Sequence, residues 1–334
     1  SNAFQKISVG TFGVSGGAVK ADGLPDGVAP ADVKMLFGSF HTLALVTCSG
    51  EVWMLGQDAN TYGDGAASST TNHALWHRVR INATTTLDNI VAVRGTGTQV
   101  LMALAASGEV YTWGTSTRLG NGTGAVANRP FATQMTLPVG VTPKMIGASG
   151  ATYYILGTNG NVYSMGVNLT NQLGNFDTAD SNSWVQVQKS AAAGDYLTNV
   201  VWISANEHDF LSTVHTRGIN VLTANGRLWA WGSNNSLMLG VSSGGNPINP
   251  TEMPGSIPSA NPYDIGKLNW TDKVIAVETG GHTSMTVKDN TKRYGYVGHR
   301  INGSMGDGVS ASATENQYNF ANTPEIDLCG APTG

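Results

Sequence analysis

The sequence is poor in charged residues, and this shortage argues against a nucleic-acid partner. Only 12% of its 334 residues are Asp, Glu, Lys or Arg, which is about half of the roughly 25% that is usual in soluble domains. The 18 Lys and Arg residues are scattered along the chain and the net charge is −4. Because a protein that neutralises phosphates needs clustered basic residues, we expect no nucleic-acid partner.

Long apolar runs and helical periodicity are also missing. No apolar run approaches the roughly 20 residues that a membrane-spanning helix needs, so we expect no direct membrane insertion. No segment shows a sustained helical period of apolar residues. The repeated His41 and His282 have no Ser, Cys or carboxylate at a matching offset, although a nucleophile–base pair needs one. The sequence therefore predicts no catalytic residue, no metal and no cofactor.

Cysteine is scarce, and the spacing of the two cysteines does not match a metal-binding motif. Cys48 and Cys329 lie near opposite ends of the chain and form neither a CxxC nor a zinc pattern. Two alternatives stay open. The residues are two inert thiols, or they form one disulfide that joins an early repeat to the C-terminus and acts mainly by restricting the unfolded chain.

Glycine is abundant, with 43 residues, and it marks an internal repeat. A Gly turn leads into a short apolar strand that ends on Gly, most clearly in Ala224–Gly240 (ANGRLWAWGSNNSLMLG). Recurrence at intervals of tens of residues is the mark of a repeat architecture. The glycines that end these strands are Gly56, Gly114, Gly166, Gly232 and Gly298.

Each repeat contains four short runs that have the composition of strands. In the third run both faces are apolar, as a sheet that is covered on both sides requires. The predicted first strands are Val33–Phe37, Ile90–Arg94, Lys144–Ala148, Val200–Ser204 and Val274–Glu278. The weaker fourth strands are predicted at His77–Ile81, Phe131–Met135, Trp184–Gln188, Thr251–Met253 and Glu325–Leu328.

Four segments carry a resemblance to a known family: GSFHTLAL (Gly38–Leu45), GEVYTWG (Gly108–Gly114), GVNLTNQLG (Gly166–Gly174) and GRLWAWG (Gly226–Gly232). Together they resemble the repeat of the regulator of chromosome condensation family, over essentially the whole chain. The resemblance implies an all-β fold, a single β-propeller of four-stranded blades. Seven blades are usual in the family. Five repeats and a partial one predict six here, with seven as the alternative and with strands from both termini closing the ring.

The predicted boundaries follow from these repeats. Ser1–Ala3 (SNA) resembles the remnant of an expression tag and is set aside, so that any native signal peptide would lie upstream. Residues 4–334 form one propeller domain. A partial repeat at 4–31 precedes full repeats at about 32–89, 90–143, 144–199, 200–273 and 274–329.

The densest cluster of ionisable residues occupies an insertion in the fourth repeat, and it is the candidate partner-binding loop. Its members are Glu207, His208, Asp209, His215 and Arg217. The alternative is a solvated insertion, which we favour. A metal site is disfavoured because in an extended chain His208 would point away from Glu207 and Asp209.

The tryptophans divide into two groups. Four have a fixed place in the repeat and are predicted to lie in the core between blades: Trp53, Trp113, Trp229 and Trp231. Trp76 and Trp270 lie near loops instead and are the candidate surface aromatics.

The resemblance implies protein–protein recognition, since secreted bacterial relatives include protein inhibitors and surface modules. We predict a non-enzymatic, monomeric module that binds a protein partner through loops on one face. Long polar loops are predicted at Gly56–Asn72, Gly232–Pro258 and Gly298–Ala321, and such loops on a rigid scaffold are frequent binding surfaces. A carbohydrate-binding adhesin module is the alternative, and a hydrolase or lyase that uses the central channel is the third. The expected location is extracellular or the bacterial cell surface, with the cytoplasm as the alternative.

Overall fold

The computed structural model describes residues 23–39, 42–56, 61–65, 75–96, 100–114, 128–207, 217–234, 237–240, 247–254, 266–300 and 305–326. These residues form five four-stranded antiparallel sheets in which the strands lie side by side in chain order. A single turn of 3-10 helix, Pro30–Asp32, precedes the first sheet. Within the described part of the chain, no helix has the length and apolar character needed to cross a membrane.

Each predicted repeat forms one sheet, or blade. Blade 1 consists of β1 (Val33–Ser39), β2 (Thr42–Thr47), β3 (Val52–Gly56) and β4 (His77–Arg78). Blade 2 consists of β5 (Ile90–Thr96), β6 (Val100–Ala105), β7 (Val110–Gly114) and β8 (Arg129–Gln134). Blade 3 consists of β9 (Pro143–Ser149), β10 (Thr152–Gly157), β11 (Val162–Gly166) and β12 (Ser181–Gln186). Blade 4 consists of β13 (Val200–Ala205), β14 (Gly218–Thr223), β15 (Leu228–Gly232) and β16 (Ile248–Glu252). Blade 5 consists of β17 (Val274–Gly280), β18 (Thr283–Lys288), β19 (Tyr294–Arg300) and β20 (Ala313–Asn319).

The prediction of the last fourth strand was wrong. Glu325–Leu328 was predicted for it, but the strand is β20, inside the segment predicted to be a long loop. β20 is mostly polar, and Tyr318 and the following Phe320 anchor it in the core. Glu325 forms an isolated bridge to Arg293 instead. An apolar run was therefore the wrong signal for a strand that is held by two aromatic side chains.

The first strand of every blade carries a β-bulge at the same place. In each pairing with the second strand, the second residue of the first strand has no partner. A bulge bends its strand and increases the local twist. These residues are Lys34, Val91, Lys144, Val201 and Ile275.

The core is divided into four layers, one between each pair of successive blades. The first strands of successive blades contact one another, from β1 through β5, β9 and β13 to β17. They therefore form the inner side of the arrangement, and both faces of the blades between them are covered. Propeller blades achieve their burial in this way, by stacking sheet on sheet.

Tryptophans join neighbouring blades, as predicted. Trp113 and Trp231 are fully buried and Trp229 is nearly so, whereas Trp53 is only half-buried. The indole Nε1 of Trp113 donates to the carbonyl oxygen of Thr61 in blade 1, at 2.8 Å. The corresponding bond runs from Trp231 in blade 4 to Gln172 in blade 3, at 2.9 Å. A buried indole N–H needs such a partner, so each bond stabilises the packing of one blade on the next.

The predicted sixth blade lies outside the described residues. The segments expected to build it are residues 4–22 and the chain beyond Ile326. Six blades and a ring closed by both termini therefore stay a prediction.

Candidate functional site

The long loops lie at one end of the blades. Because the strands are antiparallel and adjacent in chain order, the connections from first to second strand and from third to fourth strand share an end. The insertion after β13 follows a first strand, and the segments between β3 and β4, between β15 and β16 and between β19 and β20 follow third strands. We call this end the long-loop face. The other end carries short turns and the connections between blades.

Apolar side chains are exposed on the first strands, at the inner side of the blades. Trp202 is 40% exposed and Leu36 is 45% exposed, and Val201 and Ile275 are also open to solvent. All four belong to first strands.

Charged residues lie on the same inner strands, next to the long-loop face. Nε of Arg94, in β5, is 3.5 Å from Oε1 of Glu207, which follows β13. The Arg94 guanidinium carbon also lies 5.8 Å from the centroid of the Phe37 ring in β1. One arginine of blade 2 thus contacts blade 1 and blade 4, so it crosses the inner side of the propeller.

A second polar link joins blade 4 to blade 5. Oγ of Ser204 in β13 donates to Oε2 of Glu278 in β17 at 3.0 Å. The same oxygen accepts a bond from the backbone N–H of Thr279 at 2.7 Å. We call Phe37, Arg94, Ser204, Glu207 and Glu278 the axial cluster. Its side chains come from four blades.

Burial is the main reason why the pKa of Glu207 is raised to about 8; the Arg94 guanidinium opposes the rise and the Glu278 carboxylate adds to it. A carboxylic acid that is neutral near pH 7 donates a hydrogen bond, which an ionised carboxylate cannot do. Perturbed carboxyl groups at a surface opening are frequent at functional sites.

The predicted loop cluster divides between two places. Glu207 belongs to the axial cluster, whereas Arg217 packs against Gly150 of blade 3. A Cβ atom added to Gly150 would lie 2.9 Å from Nε of Arg217. Burial lowers the pKa of Arg217, and the Asp180 carboxylate opposes this. His208, Asp209 and His215 lie outside the described residues. The two ends of the insertion are therefore fixed against different blades.

The two candidate surface tryptophans differ in exposure. Trp76 is half-buried, and its Nε1 donates to the carbonyl oxygen of Gly23 at 2.7 Å. Trp270 is 52% exposed, with the Arg227 guanidinium 5.4 Å from its ring centroid. Trp270 therefore remains a surface aromatic, whereas the indole of Trp76 already has a structural bond.

Only one of the two cysteines lies among the described residues. Cys48 is exposed, and Cys329 lies outside the described residues. Whether the pair forms a disulfide stays a prediction.

Known structures share this architecture. The crystal structure of human WBSCR16 is 17% identical and aligns with 88% of this chain and 70% of its own, with a TM-score of 0.64. The structure of Prp20p from Saccharomyces cerevisiae, described with its binding to Gsp1p and histones, is 15% identical, covers 90% of this chain and 66% of its own, and has a TM-score of 0.61. A complex of Kap60 with yeast RCC1 (Prp20) gives a TM-score of 0.59 at 16% identity, over 90% of this chain and 64% of that chain.

A relative found by sequence agrees. Protein pim1 of Schizosaccharomyces pombe is 27% identical over 218 residues, which are 64% of this chain and 38% of pim1. The described blades share the β-propeller architecture of these solved structures. No family model matches the chain, and the matched region is well under half the length of pim1.

Comparison of the propeller's own repeats reveals a signal that the sequence analysis missed. Four of the five axial-cluster residues are the fifth residue of a first strand, and their neighbours in the strand are mostly apolar. That position holds Phe37, Arg94, Gly147, Ser204 and Glu278. The position holds a different residue in every blade, so it can supply a contact that is specific to one blade.

Proposed function

We propose that this propeller is a non-enzymatic module that binds a protein partner at the axial cluster and the long-loop face. The observation that carries the proposal is the contact between Arg94 and Glu207, which joins blade 2 to blade 4 at the inner side, where the first strands also expose apolar side chains. Protein-binding surfaces combine an apolar centre with polar groups around it. Prp20p, which shares the fold, is a protein described with bound protein partners.

The chemistry of the axial cluster favours binding over catalysis. The hydroxyl group of Ser204 is already engaged by Glu278 and by the backbone of Thr279. A serine nucleophile needs an adjacent base that is itself held by a third group, and Ser204 instead bonds a carboxylate of the next blade. The arginine and the two glutamates are arranged to recognise a partner's polar groups.

A capture experiment with matched variants tests the proposal. The immobilised propeller is incubated with cell and extracellular extracts, and bound proteins are quantified by mass spectrometry. Histones and Gsp1p, the partners named for Prp20p, are tested as purified probes. The axial variant carries Trp202→Ala and Glu278→Ala, and the control carries Trp270→Ala, an exposed tryptophan at the other end of the blades.

We expect the wild type and the Trp270→Ala control to capture the same proteins. The amount captured by the axial variant should be lower by at least about tenfold, since central aromatic residues dominate many interfaces. Capture that is unchanged in the axial variant, or the same proteins lost from the control, would contradict an axial binding surface. Glycosidase treatment of the extracts shows whether the captured proteins are bound through their glycans.

We also propose that residues 4–22 contribute strands to a sixth blade that packs on blade 5. The side of blade 5 that faces away from blade 4 holds a cavity of about 440 Å³ lined by Met285, Val287 and Tyr294. In blade 4 the positions that match Val287 and Tyr294 are Leu222 and Leu228, and blade 5 buries both.

Truncation tests this closure. Removing residues 4–22 exposes the apolar side of blade 5 if they cover it, so we expect a lower melting temperature and stronger binding of an apolar dye than after removal of residues 1–3 alone. Equal melting temperatures for the two truncations would contradict a sixth blade from this segment.

We further propose an extracellular or cell-surface location, which the low content of charged residues supports. Surface biotinylation of intact source cells, with a cytoplasmic marker as the control, tests it. Labelling that appears only after lysis would place the protein inside the cell instead.

A further inference from the structure

A polar cleft lies between blades 3 and 4, at the end opposite the long-loop face. Its volume is about 410 Å³, within the range of roughly 300–1,000 Å³ that is typical of small-molecule sites. One wall is the connection that leads from blade 3 to β13, and it includes Tyr196 and Asn199. The other wall is the turn between β14 and β15 with the adjoining strands, and it includes Asn225, Arg227 and Glu252.

Several polar side chains in this cleft are available to a ligand. Among the described residues, no hydrogen bond is made by the ammonium group of Lys189, the hydroxyl group of Thr198, the amide of Asn199 or the hydroxyl group of Tyr196. All four side chains are exposed. Together they offer hydroxyl, amide and ammonium donors as well as carbonyl and hydroxyl acceptors. A ligand that carries several hydroxyl groups matches such a mixture of donors and acceptors.

The charged groups in the cleft are balanced. Lys189 and Arg227 stand beside Asp195 and Glu252. Nε of Arg227 donates to Oε1 of Glu252 at 2.5 Å, and Oδ2 of Asp195 accepts from Ser190 at 2.6 Å. A site for an anionic polymer needs uncompensated positive charge, so this cleft fits a neutral ligand better.

An aromatic ring and a buried floor complete the site. The side chain of Tyr196 is 40% exposed and borders the cleft, which Trp229, nearly buried, also lines. Tyrosine combines an apolar ring face with a polar hydroxyl group, which matches the apolar C–H face and the hydroxyl edge of a sugar ring. The Arg227 side chain is held by Glu252 and by the backbone of Met253, so this wall is ordered before a ligand arrives.

We propose that the cleft between blades 3 and 4 binds a neutral carbohydrate, with Tyr196 as the stacking platform and Asn199, Asn225 and Thr198 as hydrogen-bonding groups. This site is separate from the axial cluster, because it lies at the other end of the blades and uses none of its residues. The propeller would then contact a protein partner at one end and a glycan at the other.

A glycan array is the first test. The whole purified propeller is applied to a printed array of mammalian, fungal, plant and bacterial glycans, and the glycans that are bound are then titrated in solution by calorimetry. Three variants are compared with the wild type: Tyr196→Ala, Tyr196→Phe and, as the matched control, Trp202→Ala, whose aromatic side chain is equally exposed but lies on the inner strands.

We expect Tyr196→Ala to weaken sugar binding by roughly tenfold or more through loss of the ring contact. Tyr196→Phe keeps the ring and is expected to weaken binding less, and Trp202→Ala is expected to leave it unchanged. Thermal melting of each variant separates loss of binding from loss of fold.

Three outcomes would overturn the proposal. They are an absence of wild-type binding across the array, binding that a folded Tyr196→Ala variant retains in full, and binding restricted to sulfated glycans that falls steeply with salt. Protein capture at the axial cluster is measured in a separate experiment. The sugar-binding result therefore tests the cleft proposal alone, whatever the outcome for protein binding.

Discussion

Gly174 of blade 3 lies directly against the indole ring of Trp231 in blade 4, and there is no room for a methyl group between them. A Cβ atom added to Gly174 would lie 2.8 Å from Nε1 of Trp231. Gly174 also has a φ of +62°, a conformation that side-chain-bearing residues seldom adopt. Two physical reasons therefore favour glycine at this second glycine position of the repeat: the backbone conformation and the close contact with the next blade.

Substitution of Gly174 by alanine is expected to destabilise the propeller by about 2–4 kcal/mol. This loss combines the cost of a left-handed backbone at a non-glycine residue with that of overpacking against Trp231. Gly194→Ala is the matched control, because Gly194 has a φ of +81° but no atom within 4 Å of the added Cβ. Chemical denaturation measures both. Equal losses of stability in the two variants would show that the contact with Trp231 contributes nothing beyond the backbone.

Removal of the Trp231 side chain is expected to cost about 3–5 kcal/mol in the free energy of unfolding. The ring is fully buried, packs edge-on against Tyr154 and donates to the carbonyl oxygen of Gln172. Trp202→Ala is the control, since Trp202 is 40% exposed, and we expect a change under about 1 kcal/mol. A small effect of Trp231→Ala in urea denaturation would contradict the role of this indole between the blades.

The buried ion pair of blade 5 is expected to be costly to break. Nζ of Lys288 is 2.8 Å from Oδ2 of Asp272, and both side chains are almost fully buried. Removing one partner of a buried pair leaves the other charge uncompensated, so Lys288→Met should cost about 3–5 kcal/mol.

An exposed pair in the same blade serves as the control. Lys292 and Asp289 are 2.6 Å apart, and both are about half exposed. Lys292→Met should therefore change the free energy of unfolding by less than about 1 kcal/mol. Comparable losses for Lys288→Met and Lys292→Met in urea denaturation would rule out a structural role for the Lys288–Asp272 pair.

The Glu207 carboxyl group should make stability depend on pH. Its pKa in the folded protein is raised to about 8, above the roughly 4.3 of an unfolded chain. Between these values the folded state binds a proton that the unfolded state has lost, so this stabilising contribution is fully present below about pH 4 and disappears as the pH rises through 8.

The variant Glu207→Gln mimics the neutral acid and tests this dependence. Its stability relative to the wild type should increase between pH 5 and pH 9, as measured by denaturation at a series of pH values. Asp26→Asn is the control, because Asp26 is exposed and lies outside the axial cluster. Parallel pH profiles for the wild type and Glu207→Gln would contradict a raised pKa of Glu207.

The repeat pattern predicted the blades well, and the reason is local. Every first and second strand that the sequence predicted is present, with ends shifted by at most a few residues. Each of these strands is a short β-branched and apolar run bounded by turn residues, so its own composition carries the information. The strand β20 was missed because it is mostly polar, and only its own Tyr318 and the following Phe320 anchor it in the core.

The candidate site was predicted only in part. Glu207 was selected because ionisable residues are dense in its insertion, and it does reach the inner opening. Arg94 and Glu278 were not selected, since each is a single charged residue in an otherwise apolar strand. Their importance depends on contacts between blades that are far apart in sequence, such as the contact of Arg94 with Glu207.

The sequence by itself determined the blades, the turns and the buried tryptophans of this protein, because these features depend on composition and spacing within one repeat. Only the tertiary structure decided which side chains meet at the axis and at the cleft between blades 3 and 4. Those sites combine single residues from several repeats, and the curvature and stacking of the blades determine which of them come within bonding distance.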